Sequence, residues 1–156
     1  MDALLAALEG TSIAQTLRGS RWLYAALNAG HIAGIALLVG AIVPLDLRLL
    51  GCWRGVHRAP LVRVLVPMAA GGLTLAALTG ALMFSIRARE YAGVGFLQLK
   101  LVLVVAGTVG AVVLHRAHGL WLEGASEARL AGHAALSLLC WPAALLCGRL
   151  IAFASD

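Results

Sequence analysis

The stretch HIAGIALLVGAIVPLDLRLLG, residues 31–51, decides the fold class. From Ile32 to Leu45 it holds no charged or amide side chain, and the apolar run extends backward to Leu23. A helix rises about 1.5 Å per residue, so roughly 20 such residues cross the hydrocarbon core of a bilayer. The run has no alternation of apolar and polar positions, and in lipid only helices and closed barrels satisfy their own backbone. It therefore reads as a transmembrane helix that carries one imidazole, His31, near its middle and ends in Asp46 and Arg48.

Three further apolar runs, Val64–Phe84, Phe96–Leu114 and Leu130–Phe153, have the same character. Of the 156 residues, 62% are apolar and 12% are charged. Mean hydropathy is +0.94, whereas soluble domains hold about a quarter charged residues. The expected fold is all-α: an integral membrane four-helix bundle, up-down and antiparallel because the connections CWRGVHRAP, IRAREYAGVG and HRAHGLWLEGASEAR are short. Helices are predicted over 22–50, 61–88, 96–118 and 129–153. Pro67 falls where it kinks the second or marks its first turn. The start, MDALLAALEGTSIAQTLRGSRW, lacks the basic segment and cleavage site of a secretory signal. Its near-helical spacing of leucines predicts one short amphipathic helix over 2–18, lying in the interface and retained.

Lipid gives helices no hydrophobic reason to associate, so their contacts need small residues. Gly30 with Gly34, Gly72 with Ala76 and Gly80, and Ala106 with Gly110 supply such pairs. The formal charge is +5, but the arginines stand at the ends of apolar runs without a basic stripe or interleaved aromatics, which excludes nucleic acid as a partner and points to lipid headgroups. Basic residues tie at six on each side. Discounting Lys100 and Arg149, which lie inside apolar runs, places the first and third loops in the cytoplasm and both termini in the periplasm of a bacterial inner membrane.

Ionisable residues inside a membrane cost about 2.5–3.5 kcal/mol each on insertion scales, so each must face the protein or reach an interface. His31, too short to reach an interface, is expected to face the bundle interior. It serves as a hydrogen-bonded structural residue or as a haem, metal or proton site. His115, His118 and His133 gather at one depth on the third and fourth helices; His115 or His118 with His133 could supply the two axial ligands of haem b. Asp46 and Arg48 are expected at the interface, with Arg48 in the headgroups and Asp46 accepting from a neighbouring arginine, Arg63 or Arg116, or from a protonated histidine. Lys100 and Arg149 read as anchors near the other face. Cys140 and Cys147, two turns apart on one helix, would with His31, Met68 and Met83 make a soft copper path. No phosphate loop, dinucleotide fingerprint, serine triad or HExxH motif occurs, which argues against an independent enzyme.

HIAGIALLVGAIVPLDLRLLG, then TGALMF, YAGVGFLQLKLVLVVAG with the later LH, and LSLLCWPAALLCGRLIAF together resemble a family of small bacterial four-helix membrane proteins of unassigned function. The resemblance spans nearly the whole chain, and DLRLLG and GRLIAF are its most specific parts. It implies polar points at His31, Asp46, Arg48, Lys100, His115 and Arg149. The chain departs from it at Asn28, where the family carries an acid, and at Gly110, where it carries asparagine; His133 lies outside the pattern. More distantly, the first helix resembles copper-resistance D-type membrane domains. The expected functions are a haem b electron-transfer module working with a membrane or periplasmic subunit, a copper-handling or small transport protein, and a non-catalytic accessory subunit.

Overall fold

The computed structural model describes residues 2–122 and 124–154. Among the described residues seven helices follow one another: α1 (Asp2–Glu9), α2 (Ser12–Gly19), α3 (Arg21–Leu49), α4 (Arg58–Ile86), α5 (Ala88–Ala92), α6 (Gly95–His118) and α7 (Glu127–Ala154). The chain is all-α, and α3, α4, α6 and α7 are each long and apolar enough to cross a membrane.

The amino-terminal segment is two helices, not the single one expected over 2–18. Gly10 interrupts it, and the Thr11 hydroxyl accepts from the Ala14 N–H at 3.3 Å, which makes Thr11 the N-cap of a new helix. The two pieces are tied to the protein end formed by α4 and α5. Glu9 accepts from the Arg89 backbone N–H and from its guanidinium, both at 2.9 Å, and Arg18 donates to the Ile86 carbonyl.

α3 begins on Ser20, whose hydroxyl accepts from the Leu23 N–H at 3.4 Å. It ends in a Schellman turn: the Cys52 N–H donates to Leu47 O at 3.0 Å and the Gly51 N–H to Arg48 O at 3.1 Å. Gly51 sits at φ +101°, a conformation that costs a residue without Cβ nothing. The LLG ending of the decisive stretch is thus a helix stop. Pro44, Pro67 and Pro142 all lie inside helices, as transmembrane helices tolerate; Pro67 is well past the first turn of α4.

Backbones come closest between α3 and α4 and between α6 and α7, and a narrower seam between α3 and α7 joins the two hairpins. Among the described residues α4 and α6 make no such approach, so the spans lie in the lateral order α4, α3, α7, α6. On α3 and α4 the contact is backbone on backbone: a Cβ added to Gly34 would stand 2.6 Å from Ala76 N. On α6 the close contact is Gly107, which lies against the Trp141 indole, and not the Ala106 with Gly110 pair; Gly110 meets only Leu136 at ordinary distance. The core gathers at the end formed by the first and third loops. There Leu45, Leu49, Val62, Leu114, Leu122 and Leu130 pack together. Leu122 is 1% exposed and stands at φ +58°, a backbone cost of roughly 1–2 kcal/mol that the burial of its side chain offsets.

Candidate functional site

α3 carries two ionisable side chains into the protein. His31 points at α4, where its Nδ1 lies 2.9 Å from the Ala76 carbonyl and 3.1 Å from Thr79 Oγ1. A carbonyl can only accept, so Nδ1 carries the hydrogen and, in the neutral ring, Nε2 keeps its lone pair. Thr79 is itself committed, donating to Leu75 O at 2.6 Å. Gly80 makes room for the ring, since a Cβ there would come 3.0 Å from His31 Cε1.

Asp46 belongs to the buried stripe Leu38, Ala41, Leu45, Asp46 and Leu49. It is 6% exposed. The Ser137 hydroxyl of α7 faces its carboxyl, and Oδ2 is buried with no hydrogen-bond partner. The expectation that Asp46 accepts from an arginine at the interface is not met: among the described residues no ion pair includes it. Arg63, one arginine expected to serve, lies over the Trp121 ring instead. Arg48, two residues after Asp46, leaves the helix in another direction, and its Nε donates to Val56 O at 2.7 Å and its Nη2 to Arg54 O at 3.4 Å. Arg48 therefore holds the first loop, with both of its hydrogen bonds made to neutral carbonyls.

Lys100 of α6 is half-buried, and its ammonium lies along α7 where Gly148 leaves space; a Cβ on Gly148 would stand 3.1 Å from Nζ. It also neighbours Cys147. Arg149 lies over the Phe153 ring at 4.9 Å. Cys140 and Cys147 are buried, but no group of three His, Cys, Asp or Glu is gathered to hold a metal among the described residues, so His31, Cys140 and Cys147 do not form one ligand set. His115, His118 and His133 are half-buried. His115 Nδ1 stands 3.4 Å from Gly119 O, and His118 Nε2 accepts from Arg129 Nη1 at 3.1 Å.

Sequence reasoning missed Thr79, Ser137 and the Glu9–Arg89 tie. The first had a visible signal: Thr79 precedes Gly80 in TGAL, a hydroxyl beside a space. The others depend on which helices become neighbours. Outside the spans, the Arg89 N–H and guanidinium hold the Glu9 carboxyl below its ordinary range, and burial pushes the Tyr91 phenol up.

No family model, curated protein or solved structure matches the chain. The likeness to the small four-helix family therefore rests on the quoted motifs alone.

Proposed function

We propose that this chain is a multi-pass protein of the bacterial inner membrane, with periplasmic termini, that passes protons through its interior with Asp46 as a proton-exchanging group. The observation that carries the reading is the Asp46 carboxyl, buried at the α3–α7 seam with Oδ2 unpartnered. An acid kept for structure recovers its desolvation cost by pairing. Asp46 has only a serine hydroxyl beside it, and the arginine two residues away is spent on loop carbonyls. A proton-exchanging role accounts for a buried acid that has no charged partner. His31 offers a second exchanging group on the same helix, about 22 Å of rise away, with Nε2 open for it.

The test uses purified protein in liposomes loaded with a pH-sensitive dye, under an imposed potassium diffusion potential. Wild-type vesicles should change internal pH faster than empty ones, Asp46→Asn should reduce the rate at least tenfold, and Asp46→Glu should retain part of it. A wild-type rate equal to that of empty vesicles, or an unchanged Asp46→Asn, overturns the reading.

The placement of imidazoles favours a second reading, haem b held by His133 with His115 or His118. α6 and α7 lie side by side, and the three half-buried rings share the third-loop end. For His118 to serve, the Arg129 guanidinium must leave Nε2. A Soret band in the purified protein supports haem; its absence after haem-supplemented expression overturns it.

A further inference from the structure

The first loop and the start of α7 enclose a concavity of about 730 Å³ lined by Arg48, Arg54, Arg58, Glu127, Leu50 and Ala131, among others. Its charges do not cancel. Arg58 is paired with Glu127 at 3.3 Å, and that carboxylate is 83% exposed. Arg48 is pinned by the carbonyls of Val56 and Arg54, neutral acceptors that fix the guanidinium without compensating its charge. Arg54 folds back across the helix stop, so that a Cβ on Gly51 would lie 3.5 Å from its Nη2. No acidic group pairs with Arg54 among the described residues.

Two uncompensated guanidinium groups are thus held toward one space, an arrangement of like charges that costs energy until an anion enters between them. Planar guanidinium groups match phosphate oxygens in pairs. The remaining wall is apolar: Leu50 is 44% exposed, and Ala131 continues the surface along α7 toward the span. A cationic rim on an apolar wall at the end of a transmembrane helix is the chemistry that holds an anionic lipid headgroup with its first acyl carbons.

We infer that this concavity binds a phosphate-bearing anion on Arg54 and Arg48, whether supplied as a phospholipid headgroup or as free phosphate. The site is independent of proton passage through Asp46. Gly51 helps to shape it, because its positive φ ends α3 and its missing Cβ leaves space beside the Arg54 guanidinium.

Binding is measured on the full chain in zwitterionic detergent micelles, by native mass spectrometry and by thermal unfolding, with dioleoylphosphatidylglycerol or inorganic phosphate as the probe. Arg54→Ala removes the turned-in guanidinium, Arg54→Lys keeps only its charge, and Arg21→Ala removes an exposed arginine beside Trp22 at the opposite protein end. Wild type should take up one phosphatidylglycerol saturably, with affinity lowered at least tenfold in Arg54→Ala and unchanged in Arg21→Ala. Arg54→Lys should fall between them. Retention of the lipid in the presence of millimolar phosphate supports the headgroup source; displacement by phosphate, with the same dependence on Arg54, supports the free anion. Equal binding of both probes by wild type and Arg54→Ala, or an equal loss in Arg21→Ala, overturns the site. Matching helical circular dichroism of the variants keeps a folding failure from being read as either result.

Discussion

Gly72 of α4 lies so close to α3 that a Cβ on it would stand 2.5 Å from the amide nitrogen of Leu38. The obstacle is backbone, which cannot swing aside as a side chain can. Gly72→Val should therefore force α3 and α4 apart and destabilise the protein by at least about 1–3 kcal/mol, the usual range for overpacking. Gly71, one residue earlier, has nothing within 4 Å, and Gly71→Ala should be neutral or stabilising by about 0.5–1 kcal/mol, as alanine is the better helix former. Thermal unfolding of the two variants in one detergent checks both values.

His31→Leu removes the hydrogen bond to the Ala76 carbonyl while keeping bulk over Gly80. The expected loss is about 1 kcal/mol, the ordinary net value of such a bond. His31→Gln can restore the donor but cannot exchange a proton at neutral pH. Unchanged stability with lost proton flux in His31→Gln assigns the ring a part in transfer; unchanged flux leaves it a structural residue that ties α3 to α4.

Asp46→Asn should separate stability from activity. The substitution keeps the shape and polarity of the side chain and removes its capacity to carry a charge, which is the costlier burden to bury. The variant is expected to unfold at the same temperature as wild type or higher, while losing proton flux. Thermal unfolding alongside the liposome assay reads the two together. A large drop in unfolding temperature would instead make Asp46 a structural acid.

The Glu9–Arg89 tie gives the amino-terminal helices a dependence on acid. Because the Arg89 N–H and guanidinium depress the Glu9 carboxyl below its unfolded value, the tie is fully present above the unfolded value, about 4.3, and is lost as pH falls through the folded one. Labels placed at Ala3 and Gly93, in a chain cleared of its native cysteines, should move apart only as pH falls below that unfolded value. Glu9→Gln should produce the same separation at neutral pH.

The spans were legible because each needs only a long apolar run, and that property belongs to a segment by itself. The contact of Gly34 with Gly72 and Ala76 was legible too, since small residues at fourfold spacing have few other uses in lipid. The inward direction of His31 followed from the cost of leaving it in hydrocarbon. What escaped was relational. Gly107 serves Trp141 because α7 lies beside α6, and no spacing within α6 marks Gly107 above Gly110. An arginine on another helix was the expected partner of Asp46, but it is Ser137 of α7 that faces the carboxyl, and the loop carbonyls decide where Arg48 goes. The break at Gly10 and Thr11 was visible as residue types, yet the surrounding leucines argued for one continuous helix.

The narrow seam between the two hairpins also sets an order of assembly. Each hairpin covers its own closest contacts, Gly34 on Gly72 in one and Gly107 on Trp141 in the other, without help from its neighbour. Both can thus form as separate units as the chain enters the bilayer, and docking of α3 on α7 completes the structure. The Asp46 carboxyl sits on that joining surface and meets the Ser137 hydroxyl only when the halves come together. Supplied as two polypeptides, the hairpins should find each other in the membrane, and an aspartate protected from water would report that they had done so.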